Sequence, residues 1–207
     1  MTCRTKLAGQ AESFDLTLIT CALLATPYQL SMGNSNDHLP VLLVMAAFSR
    51  YASAIDWASD RAAIEWGPIA MSSSSFSFVE TDYYEPTMGS GLLKKFFAFE
   101  RLIDPATLPA LKHQSNAWES EYSLNSSHDE PRPLNLDPGY LTNAKLVLAS
   151  TKDHAHRIYL SQGIYAEVTL HYHHRRWQAR EWTYPDYRRP DYHEFFNQCR
   201  KHLRDRS

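Results

Sequence analysis

The densest group of chemically active side chains lies in residues 151–157, whose sequence is TKDHAHR. It places Lys152, Asp153, His156 and Arg157 close together in the chain. Arginine binds phosphate or carboxylate groups through its planar fork, and lysine supplies a compact positive charge. A histidine beside a carboxylate can act as a general acid or base. The segment therefore predicts an anion-binding site with a proton-transferring group beside it.

Residues of the same chemical kinds elsewhere in the chain complete the predicted site. Glu167 or Asp82 would act as a base or hold magnesium. The predicted catalytic residues are His156, Asp153, Glu167 and Asp82. The predicted anion-binding residues are Lys145, Lys152, Arg157, Tyr84 and Tyr184. The alternative is a charged connection in which Arg157 and Asp153 pair across a turn.

A metal site is a separate hypothesis for the strand at residues 165–174. Alternation would direct Ala166, Val168, Leu170 and Tyr172 into the core. Glu167, His171 and His173 would share the other face, where a carboxylate and two imidazoles suit several divalent ions. The alternative is a solvated polar face. No metal ligand is assigned on this basis.

The sequence MGSGLLKKF contains Gly89, Gly91, Lys94 and Lys95 ahead of a predicted helix. A helix N-terminus presents free N–H groups, so this arrangement resembles a phosphate cradle. It lacks the spacing of a Walker A loop, and no dinucleotide motif follows a strand. The preferred interpretation is a plain helix entry with two solvated lysines, which needs no ligand.

An aromatic segment near the C-terminus, WTYPDYRRPDY, supports a rival hypothesis. Its aromatic rings and two arginines could stack on bases, as in a single-strand RNA-binding surface or a clamp on a nucleobase. Residues 138–207 contain 12 basic and 7 acidic residues, whereas residues 40–137 contain 7 basic and 13 acidic ones. The basic third could face RNA, or the two oppositely charged parts could complement each other within one fold.

The first 39 residues are predicted to be a poorly ordered extension, with Met32 as an alternative start. Basic residues before the apolar run at 16–25 resemble a signal peptide, but acidic residues interrupt that pattern. The run is also shorter than the roughly 20 apolar residues that span a bilayer. The three cysteines are too dispersed for a disulfide framework, which favours a reducing compartment. We expect one domain at residues 40–207 and no membrane partner.

Hydrophobic periodicity predicts the elements of this domain. A buried strand at 40–48 precedes a helix at 51–66, which ends at Gly67 and Pro68. A strand begins near Ser75, MGSG opens a helix through Ile103, and Asp104 caps the next helix.

In the second half of the chain, Asp137, Pro138 and Gly139 predict a turn, and Thr142 caps a helix through about Ser150. A hairpin turning at residues 161–163 and a terminal helix complete the chain. These elements indicate a single α+β domain with a mixed or antiparallel sheet packed against several helices.

Five segments are similar to the bacterial domain-of-unknown-function 4416 family: TDYYEPTMGSGLLKKF, LIDPATL, LNLDPGYLTNAKLVLASTKDHAHRIYL, GIYAEVTL and WTYPDYR. The resemblance extends over about residues 40–196. The members of that family are uncharacterised cytoplasmic proteins, so the resemblance implies a cytoplasmic protein but no mechanism, and the GTP-binding label of some members finds no matching motif in this chain. His171 and His173 stand where the resemblance implies other residues.

We expect an anionic, phosphorylated small molecule or a nucleotide as ligand, with RNA binding or protein interaction as the alternative; the cofactor and the oligomeric state stay open.

Overall fold

The computed structural model describes residues 37–206, so most of the predicted N-terminal extension, including Met32, lies outside the described residues. Within residues 37–206, nine strands form one antiparallel sheet accompanied by four α-helices, which confirms the α+β class. The strands are β1 (Val41–Ser49), β2 (Ile69–Ser72), β3 (Phe76–Ser77), β4 (Leu93–Ile103), β5 (Asn135–Leu141), β6 (Lys145–Ser150), β7 (Ile158–Ser161), β8 (Ile164–His173) and β9 (Arg176–Ala179). The helices are α1 (Ala52–Trp66), α2 (Glu85–Met88), α3 (Leu108–Asn125) and α4 (Pro190–Arg204).

The sheet has the strand order β2, β4, β1, β5, β6, β8, β7, with β3 paired to β4 and β9 paired to β8. All nine residues of the central strand β1 are buried, as its continuous apolar sequence predicts. Alternation directs Leu43 and Met45 of β1 towards α1 and α3, and Leu42 and Val44 towards α4. The sheet therefore has two covered faces, and the candidate site lies on the α4 face.

Two sequence predictions near the C-terminus are confirmed. The hairpin of β7 and β8 turns at Gln162 and Gly163, which both have positive φ, as a tight two-residue connection requires. Helix α4 buries one apolar stripe against the sheet. The stripe consists of Tyr192, Phe195, Phe196, Cys199 and Leu203.

The prediction of a helix after MGSG is wrong, because the residues that follow this sequence form strand β4. Phe96 and Ala98 pack on the α4 face, whereas Phe97 and Phe99 pack on the α1 and α3 face. A strand buried on both faces does not alternate between apolar and polar residues, so its spacing also fits a helix. Antiparallel pairing with β1 supplies the backbone partners that favour the strand.

The turn predicted at Asp137, Pro138 and Gly139 is also wrong, because β5 continues through all three residues. Pro138 lies opposite Met45 of β1. A Cβ atom at position 139 would overlap the carbonyl oxygen of Val147. Glycine is therefore needed here because it lets β5 and β6 approach each other closely.

The helix predicted from Thr142 is strand β6. The Thr142 hydroxyl accepts hydrogen bonds from the backbone N–H groups of Ala144 and Lys145, so it stabilises a tight turn and not a helix entry. The buried sequence LVLA of β6 then alternates between the two faces of the sheet.

A β-bulge at Thr169 changes the direction of the side chains halfway along β8. Val168 packs on the α3 face and Leu170 on the α4 face. The predicted single core face through both residues is therefore wrong. Glu167 lies opposite Leu148 of β6, which belongs to the core under α4, so its carboxylate is buried on that side.

Candidate functional site

The centre of the candidate site is a buried ion pair between Arg157 and Glu167. Arg157 Nε donates a hydrogen bond of 2.8 Å to Glu167 Oε2, and the two side chains are 2% and 1% exposed. Arg157 precedes β7 and Glu167 lies in the middle of β8, so the β7–β8 hairpin brings them together. Removing one partner of such a pair leaves a buried charge without compensation, so the two residues depend on each other.

The remaining nitrogens of the Arg157 guanidinium bind three further groups. Nη1 donates to the Ser150 hydroxyl at 2.7 Å and to the Lys152 carbonyl at 3.0 Å, and Nη2 donates to the Tyr184 hydroxyl at 2.9 Å. Burial lowers the pKa of Arg157, but the hydrogen bond and charge of Glu167 outweigh it and the pKa is raised. Arg157 is therefore a permanently charged anchor for its surroundings. Its guanidinium does not face solvent, which corrects its predicted role as a direct anion ligand.

The Glu167 carboxylate also positions an imidazole. His156 Nε2 lies 3.3 Å from Glu167 Oε2, and the Thr169 hydroxyl donates to Oε1 at 3.1 Å. Because an ionised carboxylate only accepts hydrogen bonds, this contact places the proton of a neutral imidazole on Nε2. Nδ1 then carries a lone pair. The His156 side chain is 23% exposed, so the pair connects the interior with the surface.

Lys152 provides a positive charge at this surface. Its Nζ donates to the Tyr83 hydroxyl at 2.9 Å and lies 4.9 Å from the centre of the same ring. The hydrogen bond from Lys152 and its positive charge lower the pKa of Tyr83. The charge of Arg132 lowers this pKa further. Within residues 37–206 no carboxylate pairs with the Lys152 ammonium. An incoming anion would therefore compete only with a neutral phenol.

Two aromatic side chains between β9 and α4 complete the surface. Trp182 Nε1 donates to the Val168 carbonyl at 3.2 Å, and its ring lies 5.4 Å from that of His156 with 10° between the planes. The hydroxyl of Tyr184 is held by Arg157. Five exposed or half-buried side chains together form the site rim: Tyr83, Lys152, His156, Trp182 and Tyr184.

A second buried ion pair lies beside the site rim. Lys94 Nζ donates to Asp186 Oδ2 at 2.6 Å, and each side chain is 4% exposed. The ammonium also lies 4.4 Å from the centre of the Tyr187 ring and about 5 Å from the Phe48 and Phe78 rings. The phosphate cradle predicted from MGSGLLKKF is therefore wrong, since a strand follows it and Lys94 is neutralised inside the protein.

Tyr84 packs against the rings of Phe48 and Phe78. Burial raises the pKa of Tyr84 the most, and the charge of Asp137 and the proximity of Tyr184 raise it further. Asp137 in turn receives a hydrogen bond of 3.2 Å from Lys112. The predicted grouping of Tyr84 with Tyr184 is consistent with these electrostatic contacts, although Tyr84 points towards the interior.

Three predicted residues do not join the site. The Asp153 carboxylate accepts a hydrogen bond from Tyr165, so Glu167 and not Asp153 orients the histidine. Asp82 is exposed, and its side chain has no hydrogen-bond or ion-pair partner within residues 37–206. Lys145 begins β6 whereas Ser150 ends it, which separates their backbones by about 17 Å.

The predicted metal cluster is not assembled. Glu167 binds Arg157 and His156, while His171 and His173 lie beyond the bulge at Thr169. The pKa of His171 is lowered, mainly because burial disfavours the charged imidazolium. Within residues 37–206 no group of three or more histidine, cysteine, aspartate or glutamate side chains is arranged to hold a metal ion.

The arginines of the aromatic segment are engaged within the protein. Arg188 donates to the backbone carbonyls of Arg180, Glu181 and Thr183. Arg189 forms ion pairs with other side chains, Glu80 at 2.9 Å and Asp191 at 2.6 Å. These contacts limit the ability of either guanidinium to stack on a base, as the RNA hypothesis requires.

Two surface grooves of about 350 and 370 Å³ lie elsewhere on the described part of the chain. The first lies beside the end of α3, and the second lies between β2 and α4. Neither is lined by a residue of the site rim. The site rim is therefore distinct from both grooves.

The fold and the rim define an antiparallel α+β protein with a polar site beside its β7–β8 hairpin. Residues 39–203 match the model of a family described as a domain of unknown function (DUF4416), and the chain belongs to that family. No curated protein and no solved structure matches the chain. Within the described residues, no helix has the length and apolar character needed to cross a membrane.

Four of the five segments that carry the family resemblance supply the site. TDYYEPTMGS contributes Tyr83, the segment with TKDHAHR contributes Lys152 and Arg157, GIYAEVTL contributes Glu167, and WTYPDYR contributes Tyr184. Sequence reasoning missed the structural roles of Ser150 and Thr169, because both depend on strand register and on the bulge. A serine at the end of a strand carries no signal of its own.

Proposed function

We propose that this protein binds an anionic small molecule at the site rim and that Lys152 is its main anion contact. The ammonium of Lys152 is exposed and bonds to a neutral phenol, so an anion can approach it without displacing a carboxylate. A phosphorylated compound is the preferred class, because its charge is compact and its oxygens are strong acceptors.

The observation that carries this proposal is the connection of the rim residues through one guanidinium. Arg157 holds the Lys152 carbonyl, the Tyr184 hydroxyl and the Glu167 carboxylate, and Glu167 holds His156. Binding groups need supporting contacts that fix their geometry. A buried charge pair that holds the backbone of an exposed lysine and the ring of a half-buried histidine fits this requirement better than a plain surface turn does.

His156 would transfer protons if the protein is an enzyme. Its contact with Glu167 resembles the carboxylate–imidazole arrangement that fixes a tautomer and stabilises the protonated ring. Nδ1 would accept a proton from the bound molecule or from water. Glu167 would act only through the imidazole, since its side chain is 1% exposed and already paired.

A thermal-shift titration of the full chain tests this proposal with inorganic phosphate, pyrophosphate and ribose 5-phosphate. At a hundred times its dissociation constant, a ligand stabilises the folded state by roughly 2.7 kcal/mol. We expect this stabilisation to be lost in Lys152→Met and retained in Lys145→Met, which removes a lysine at the other end of β6. Equal responses of the two variants, or no response in the wild type, would contradict the proposal.

A single-stranded RNA in the same titration tests the rival function. Binding to a basic surface weakens steeply as salt is added, because counterions are released from the phosphates. RNA binding that persists in Lys152→Met, without binding of any small anion, would favour the rival interpretation. We propose that the protein works in the cytoplasm, because three dispersed cysteines suit a reducing compartment.

A further inference from the structure

Trp182 combines a fixed orientation with an exposed ring. Its Nε1 donates to the Val168 carbonyl on β8, and its plane lies within 10° of the His156 ring. The residue nevertheless remains 39% exposed. The exposed part of the ring adds no stability to the fold, because apolar surface stabilises a protein only where it is buried.

Tyr184 repeats this arrangement on the same connection between β9 and α4. Its hydroxyl accepts a hydrogen bond from buried Arg157, while the residue is 43% exposed. In both side chains the polar atom is anchored inside and apolar ring surface remains outside. Rigid aromatic rings of this kind provide contact area at low cost in side-chain entropy.

The charge that would bind the anion is attached to the same support. Arg157 binds the Lys152 carbonyl and the Tyr184 hydroxyl, and Glu167 binds His156, on which Trp182 stacks. His154 extends the row of rings, because its plane lies within 11° of the His156 plane. The backbone of Lys152 and the flat rings are therefore held by one set of hydrogen bonds.

We propose that the anion bound at Lys152 carries a planar aromatic or heteroaromatic ring, which stacks on Trp182 at the site rim. This inference rests on the proposed function, because Lys152 must supply the anion contact. The geometry favours a ligand with one compact negative group and one flat ring. Such a molecule would use the lysine and the aromatic surface together, whereas a bare sugar phosphate would leave Trp182 exposed.

Calorimetric titration of the full chain tests the inference with matched probes. Adenosine 5′-monophosphate and ribose 5-phosphate share the phosphate and differ in the ring, and adenosine has the ring without the phosphate. Stacking of one base contributes about 1–3 kcal/mol, so the nucleotide should bind about 5- to 150-fold more tightly than ribose 5-phosphate. Phenyl phosphate and methyl phosphate repeat the comparison without a nucleobase.

Two variants separate the ring contact from the charge contact. In Trp182→Leu, adenosine 5′-monophosphate should bind only as tightly as ribose 5-phosphate does, whereas Trp57→Leu on α1 should retain the wild-type preference. Equal binding of the ringed and ringless phosphates, with no effect of Trp182→Leu, would overturn the inference and leave the anion site intact. Adenosine binding as tightly as its monophosphate, with no effect of Lys152→Met, would overturn the anion site. Binding of RNA alone, or of no probe, would overturn both.

Discussion

Arg157 and Glu167 form an ion pair of 2.8 Å whose side chains are almost completely buried, although the neighbouring rim is open to solvent. The pair links a surface lysine, a histidine and a tyrosine through direct hydrogen bonds. Burying two charges gains little stability by itself, because the loss of hydration offsets much of the attraction. Its main consequence here is the fixed geometry of the site rim.

Removing one member of the pair should destabilise the protein strongly. Arg157→Met leaves the Glu167 carboxylate buried without its cation, at a cost of about 3–5 kcal/mol in the free energy of unfolding. The double variant Arg157→Met with Glu167→Leu should recover part of this loss, since no unpaired charge remains. Urea unfolding provides the measurement, with the exposed Arg101→Met as control. If Arg157→Met were as stable as the control, the pair would not organise the fold.

Tyr83 should ionise at a lower pH than an ordinary tyrosine, because Lys152 donates a hydrogen bond to its hydroxyl and lowers its pKa. Ultraviolet absorbance titration should show one early-ionising tyrosine that disappears in Tyr83→Phe. In Lys152→Met the early ionisation should shift towards higher pH. Tyr159→Phe provides an exposed control on β7. An unchanged titration in Lys152→Met would show that the lysine does not contact the phenol.

Asp137 should make stability depend on pH in the acidic range. Burial raises its pKa, but the charges of Lys112 and Lys94 and the hydrogen bond from Lys112 outweigh burial, so the folded-state pKa is lowered. The stability gained is present above the unfolded value of about 3.9 and is lost as the pH falls through the folded pKa. Asp137→Asn should therefore lose less stability between pH 5 and 2, as rough limits, than the wild type does. Urea unfolding across this range measures the difference, and a steeper loss in the variant would contradict the assignment.

Gly139→Ala tests whether β5 continues through the sequence DPG. The added methyl group would overlap the Val147 carbonyl oxygen, and overpacking of this kind costs about 1–3 kcal/mol or more. Gly163→Ala is the comparison, since that turn is open and only its positive φ of 75° is unfavourable, at about 1–2 kcal/mol. Thermal unfolding of both variants measures the costs. Wild-type stability of Gly139→Ala would support a turn at this position.

Sequence patterns predicted the elements that have one apolar face. Helix α4 has a single buried stripe, and the β7–β8 hairpin has a clear turn, so local periodicity was sufficient for both. Strands β4 and β6 were misassigned because they are buried on both faces and are paired with residues distant in the chain. Long-range pairing has no local signal, and tertiary structure overrides local propensity.

The same limit explains which site residues were predicted. Lys152, His156 and Arg157 are close in sequence, and Glu167 follows on the hairpin partner, so their proximity could be inferred. The separation of Lys145 from this group depends on β6 being an extended strand and not a helix. The assignment of Glu167, and not Asp153, to His156 depends on the register between β7 and β8 and could not be read from spacing.

The most direct test of the account is a crystal structure of the full chain soaked in tungstate, a tetrahedral anion that anomalous scattering locates. The account predicts an anion within hydrogen-bonding distance of Lys152 Nζ, with Tyr83 displaced from the ammonium and the Arg157–Glu167 pair unchanged. An anion found only at other lysines or arginines, with Lys152 still bonded to Tyr83, would contradict the assignment of the site rim as the anion-binding site.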